Sequence, residues 1–277
     1  MRRPEFKMPA LPKMPSMKPR MTNLFKREPV FNRPVCTERR YRVARILYVV
    51  FLSSLVALSI AVVVLKAMTI AFIEENKGIG FMFETSSSGS TLLAALPRML
   101  YVAPAKISIV AAVISIFIGT AHLAFVVRDW KDGKKTQAYS FCRNSMFVHL
   151  TNSMLVLFSL VSIYVTHKMT SHFSARYVNF KADHTDEGVW YRIGTFDLET
   201  WSCELKTEPG AKIVWEDYGM QCEIEIAARW VMIPFMICAF AVALTTIWGM
   251  VTYRRDPDGE RIKTEDLGLE MGKFNAI

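Results

Sequence analysis

The sequence predicts an all-α membrane protein: a four-transmembrane-helix bundle with a small, disulfide-stapled, β-rich extracellular cap. Three observations predict it. Four stretches, at 46–65, 107–127, 146–166 and 230–253, contain no Asp, Glu, Lys or Arg. Lys and Arg crowd the short segments on one side of those stretches. Finally, two cysteines share the one long loop that the same charge bias places outside.

Each charge-free stretch is long enough, as a helix, to cross roughly 30 Å of hydrocarbon. Helices buried in soluble cores rarely stay apolar on every face for so long. Orientation follows the basic residues nearest the spans. Arg33, Arg39, Arg40, Arg42 and Arg45 precede the first span. Arg128, Lys131, Lys134, Lys135 and Arg143 lie between the second and third, and Arg254 and Arg255 follow the fourth. The segment between the first two spans is much poorer in them. Both termini and the middle loop are therefore expected in the cytoplasm, with the plasma membrane as the expected compartment.

The first 45 residues hold thirteen Lys/Arg, three acids and seven prolines. So many prolines block helix and favour extended backbone. Residues 1–45 read as a disordered, basic, proline-rich cytoplasmic tail. Such a tail suits anionic inner-leaflet lipid, each basic residue contributing about 1 kcal/mol near the surface. Arg39, Arg40, Arg42 and Arg45 are its lipid-binding candidates. The first span then reads as an uncleaved signal anchor. Nucleic acid is not expected as a partner.

Lys66, just past the first span, is expected to snorkel to the outer interface. The outer loop 67–106 reads as flexible through Thr85–Ser90, with Thr91–Ala105 lying along the membrane surface. Residues 128–145 form the cytoplasmic loop. Residues 167–229 form the extracellular loop, and 254–277 a cytoplasmic tail.

Within 167–229, Val189, Tyr191 and Ile193 alternate with polar or aromatic neighbours, as do Phe196, Leu198 and Thr200. That period predicts strands. Lys212–Trp215 is a third strand candidate, and Glu208-Pro209-Gly210 a turn. A loop of this size makes a poor core alone and needs a staple. Cys203 and Cys222 are the two cysteines expected outside, where thiols are oxidised, and they read as a structural disulfide. A redox-active pair is the alternative, although no CxxC is present.

Gly194-Thr195-Phe196-Asp197-Leu198-Glu199-Thr200-Trp201-Ser202-Cys203, then Cys222, then Ala227-Ala228-Arg229 entering a span, resembles the outer loop of the claudin-like superfamily of four-span proteins. It is similar also to the fungal plasma-membrane branch that includes the PalI type, and to four-span proteins of filamentous fungi. The resemblance implies that Trp201 anchors the cap at the membrane surface. It implies that Cys203 pairs with Cys222 and that Arg229 caps the cysteine loop. The motif lies here between the third and fourth spans, whereas claudins carry it between the first and second.

The spans hold two histidines, His122 and His149. An intramembrane histidine of this kind reads first as a helix–helix hydrogen bonder. His167 and His172 form an HxxxxH spacing with too few companions for a metal site. No HExxH, GxSxG, Walker or GxGxxG pattern occurs. No enzyme activity, cofactor or metal is therefore expected. The expected role is a non-enzymatic tetraspan that organises membrane lipids or partner proteins, with self-association among its options. The alternative is a channel or transporter subunit in which Ser115, Thr120, His122, His149, Asn152 and Ser153 line a path in an oligomer.

Overall fold

The computed structural model describes residues 38–85, 89–133, 139–184 and 188–252. Four long helices carry the predicted spans. They are α1 (Glu38–Glu75), α2 (Ala103–Lys131), α3 (Tyr139–Lys168) and, last in the chain, α6 (Trp215–Thr252). All four are long and apolar enough to cross a membrane. The chain is accordingly an integral membrane protein. Between α1 and α2 lie strands β1 (Gly80–Thr85) and β2 (Gly89–Ala94). Between α3 and α6 lie α4 (Ala175–Ala182), α5 (Leu198–Leu205) and a 3-10 turn at Pro209–Val214.

The helices exceed the predicted spans at nearly every end. With 38 residues each, α1 and α6 run roughly 57 Å, about twice the hydrocarbon thickness. Charge-free sequence marks the part that lipid demands; the helix continues wherever tertiary packing rewards it. At one end this absorbs Glu38–Arg45 into α1, so the last eight residues of the predicted disordered tail are helical. Its remainder, like residues 253–277, lies outside the described residues.

In the bundle, α1 packs against α2 and α6, and α3 packs against the same two helices. Its core includes Leu52, Leu55, Val62, Val156, Met232, Phe235 and Val242. Lipid tails are as apolar as these side chains, so close contact and hydrogen bonds must drive helix association. The α2 face is built for closeness, with buried Ala111, Ala112 and Ser115. At Gly119 a Cβ would stand 2.9 Å from the Val56 Cγ2, so glycine lets α1 and α2 approach there.

At the other end, α1, the hairpin and the α3–α6 connection make a second core, the cap. Ile73, Phe81, Phe83, Leu93, Val178, Val189, Tyr191, Phe196, Trp201, Leu205 and Tyr218 fill it. Trp201 stands at its centre, with Phe173, Tyr191 and Phe196 at ring-centroid distances of 5.6, 5.4 and 5.1 Å. Its indole N–H donates to the Ala95 carbonyl at 2.9 Å, and the Tyr218 hydroxyl donates to the same oxygen at 2.6 Å.

The predicted strands are corrected here. Antiparallel β1 and β2, paired from Gly80↔Ala94 to Thr85↔Gly89, occupy the loop expected to be flexible and membrane-lying. In the loop expected to be β-rich, Val189 and Phe196 make isolated bridges to Leu93 and Leu100. The other described residues of that loop are helical or irregular. Asp197 explains the switch: its side chain accepts the Thr200 N–H at 3.2 Å and caps α5. Leu198, Trp201 and Leu205 then fall on one buried helical face. The expected strand at Lys212–Trp215 is the end of the 3-10 turn and the start of α6. Gly210 allows that turn to press on β1, since a Cβ there would stand 2.5 Å from the Phe83 ring and 2.7 Å from the Glu84 carbonyl oxygen.

The predicted disulfide is present. Cys203 on α5 is bonded to Cys222 on α6, with their Cα atoms 4.9 Å apart.

Candidate functional site

Two polar systems run through the helices. The first lies where the cap meets the bundle. Lys66 on α1 and Glu225 on α6 form an ion pair at 2.6 Å, with side chains 5% and 6% exposed. Thr69 donates to the other oxygen of Glu225, and Gln221 donates to it at 3.2 Å. Lys66 therefore does not snorkel to the interface. An inward carboxylate, one the spacing alone had assigned to the loop, holds it in the protein. Burying either charge without the other would be strongly unfavourable.

Beside this pair is a four-residue cluster. Arg229 on α6 donates through Nη2 to Glu199 Oε1 on α5 at 2.7 Å. His167, near the end of α3, has its Nδ1 2.9 Å from Asp197 Oδ2 and 3.7 Å from Glu199 Oε2. Glu199 is 7% exposed. Burial raises its carboxyl pKa above the usual range, although His167 and Arg229 both pull it down. A small cavity of about 40 Å³ joins the two groups; Lys66, Thr69, Asp197, Glu199, Glu225 and Arg229 help to line it.

The second system is the seam between α2 and α3. Ser108, Ser115, His122 and Asp129 follow one another at seven-residue intervals along α2, and all four are buried. Antiparallel α3 meets the first three in turn. Ser159 donates to Ser108 at 2.8 Å, Ser115 to Asn152 at 3.0 Å, and His122 Nδ1 lies 2.7 Å from His149 Nε2. The fourth, Asp129, accepts from Tyr41 on α1 at 3.5 Å. This interval keeps a polar row aimed at a partner helix, as apolar residues are aimed in a coiled coil.

The sequence-named residues separate accordingly. Cys203 and Cys222 are joined, while Arg229 braces α5 through Glu199. Trp201 anchors the cap from inside its own core, fully buried, and not at a membrane surface. His122 and His149 are joined, as are Ser115 and Asn152. Thr120 is exposed on α2 and bonds its own helix backbone, and Ser153 bonds the Leu150 carbonyl of its own helix. Arg39, Arg40, Arg42 and Arg45 stand on the first turns of α1. The Arg45 guanidinium lies over the Tyr41 ring at 4.5 Å and the Trp130 ring at 5.8 Å.

The HxxxxH spacing does not make a pair. His172 meets Glu204 at 2.6 Å, away from His167. Sequence reasoning missed Lys66–Glu225 and the grouping of Asp197, Glu199 and His167. The first was hidden because Glu225 precedes the charge-free stretch by five positions. A helical reading of Cys222–Arg229 already places Glu225 on a helix, but only the fold shows that this face meets Lys66. No protein-family model, curated protein or solved structure matches the chain.

Proposed function

We propose that this chain is a non-enzymatic tetraspan that organises partner membrane proteins, with the lipid around them, through its cap. One observation carries the reading: the cap is a folded unit with an uncovered apolar face. Phe81, Phe83, Leu93 and Val189 turn inward, so their neighbours turn outward. Met82 pairs directly with Leu92 across the hairpin, and these two and Trp190 are each about half exposed. Apolar side chains grouped on one exposed sheet face mark interaction sites.

Hydrocarbon does not explain that face. Phe81 packs on Tyr218 with ring centroids 6.0 Å apart. Tyr218 precedes the charge-free part of α6 by twelve positions, or roughly 18 Å of helix. A partner's own extramembrane surface fits there. With the basic segments in the cytoplasm, the cap stands outside the cell and the arginines of α1 meet anionic inner-leaflet lipid. The seam supports the same reading over the transport alternative, because its groups bond one another across the helices.

The test is covalent crosslinking in native membranes followed by mass spectrometry, comparing wild type with a Leu92→Ser/Trp190→Ser variant. Specific partners lost in the variant, at normal expression and localisation, are the expected result. Partners unchanged in the variant would overturn the role of this face. An absence of reproducible partners in wild type would overturn the organising role and favour transport.

A further inference from the structure

The geometry points to a divalent transition-metal site, of the zinc class, formed by His167, Asp197 and Glu199 where the cap joins the bundle. The three donor atoms lie within 4.8 Å of one another. One imidazole nitrogen and two carboxylate oxygens are a donor set that suits such ions. Four-coordinate zinc at about 2.0–2.1 Å from its ligands needs donors separated by roughly 3.3 Å. The 2.9 and 3.7 Å separations about His167 Nδ1 bracket that value.

The surroundings orient the donors. Asp197 uses Oδ1 to cap α5, which leaves Oδ2 for His167. Glu199 gives Oε1 to Arg229, which leaves Oε2 for His167. Each carboxylate thus has one oxygen held by a donor and the other turned to a common point, the arrangement that outer partners impose on metal-binding carboxylates. Burial adds a need for positive charge. Asp197, Glu199 and Glu225 are three carboxylates at this junction, against two permanent cations, Lys66 and Arg229. The sum is one negative charge, which attracts a cation to His167; a divalent ion makes the sum one positive. The Arg229 Nε is buried without an acceptor among the described residues, and Arg229 lines the same cavity as Asp197 and Glu199. A water on the ion would give it one. The site would fasten α3 to α5, and so the bundle to the cap; it does not rest on the proposed partner role.

The experiment uses the full chain in lipid nanodiscs, stripped with chelator. Zinc binding is measured by calorimetry, and Co²⁺ is added as a spectroscopic probe. One zinc per chain and the intense visible bands of four-coordinate Co²⁺ are expected. Affinity should fall at least tenfold in His167→Ala and in Asp197→Asn, and should persist in a His172→Ala/His184→Ala variant. Asn still caps a helix, so Asp197→Asn removes the ligand while α5 keeps its start. Near-ultraviolet circular dichroism checks that each variant retains the cap. No saturable binding to wild type would overturn the site, leaving a hydrogen-bonded cluster about His167. So would binding that survives His167→Ala and Asp197→Asn, or that disappears with His172 and His184.

Discussion

The junction below the cap and the seam between α2 and α3 are both buried polar systems in one bundle, yet they use different chemistry. The junction uses charged groups, Lys66 with Glu225 and Arg229 with Glu199, and sets His167 beside Asp197. The central seam uses neutral groups: Ser108 with Ser159, Ser115 with Asn152, His122 with His149. Depth accounts for the contrast. The junction groups lie at the edge of, or just beyond, the charge-free stretches, where water and cap polar groups are near. The seam pairs lie within those stretches or next to them, where an ion would be far costlier than a hydroxyl or amide. The difference teaches that polarity here is graded by depth, and the grading predicts how each part should break.

The largest effect is expected at the junction. Glu225→Leu leaves Lys66 buried without its counter-charge and should destabilise the protein by about 3–5 kcal/mol. Lys66→Met/Glu225→Leu removes both charges and should recover most of that loss. Reversible unfolding in mixed detergent micelles measures the two. A single variant as stable as wild type would show that the pair is hydrated, which would break the comparison at its stronger side.

The disulfide comes next. Cys203 and Cys222 lie 19 apart in sequence, and closing such a loop stabilises by about 3 kcal/mol on the chain-entropy model. A Cys203→Ser/Cys222→Ser variant should lose that much in cap stability while the bundle melts as before. Hydrogen exchange resolves the two, since the loss should concentrate in α5 and the first turns of α6. An equal loss of protection in α2 and α3 would mean that cap and bundle unfold as one unit, and the two regions would not be separable energetically.

How far the sequence revealed this architecture differs between the same two regions. The four spans were legible because hydrocarbon enforces a simple rule, and no residue in 46–65 or 107–127 breaks it. The Cys203–Cys222 pairing was legible from compartment and position. The helix ends were not, since nothing in the local sequence of α1 says that packing continues it from Lys66 to Glu75. Nor was α5: Phe196, Leu198 and Thr200 alternate like a strand, while Leu198, Trp201 and Leu205 repeat like a helix. Asp197 as an N-cap decided between them. The His167 cluster was hidden for another reason. His167 lies thirty positions from Asp197, and only the fold of the α3–α6 connection brings them together.

The smallest effect belongs to the seam, and it sharpens the comparison most. Ser115 and Asn152 should couple by about 0.6 kcal/mol in a double-mutant cycle of Ser115→Ala and Asn152→Ala. Hydrogen bonds between membrane helices are this modest because the unfolded chain in the bilayer also finds partners. The same cycle on Lys66 and Glu225 should give several times as much, since each charge lacks a good substitute partner once its own is removed. Equal couplings at the two sites would mean that depth does not grade the polar groups. A seam coupling above the junction coupling would mean something stronger: Ser108, Ser115 and His122 would then be a linked row whose members reinforce one another, and the α2–α3 contact, in place of the junction, would hold the bundle's register.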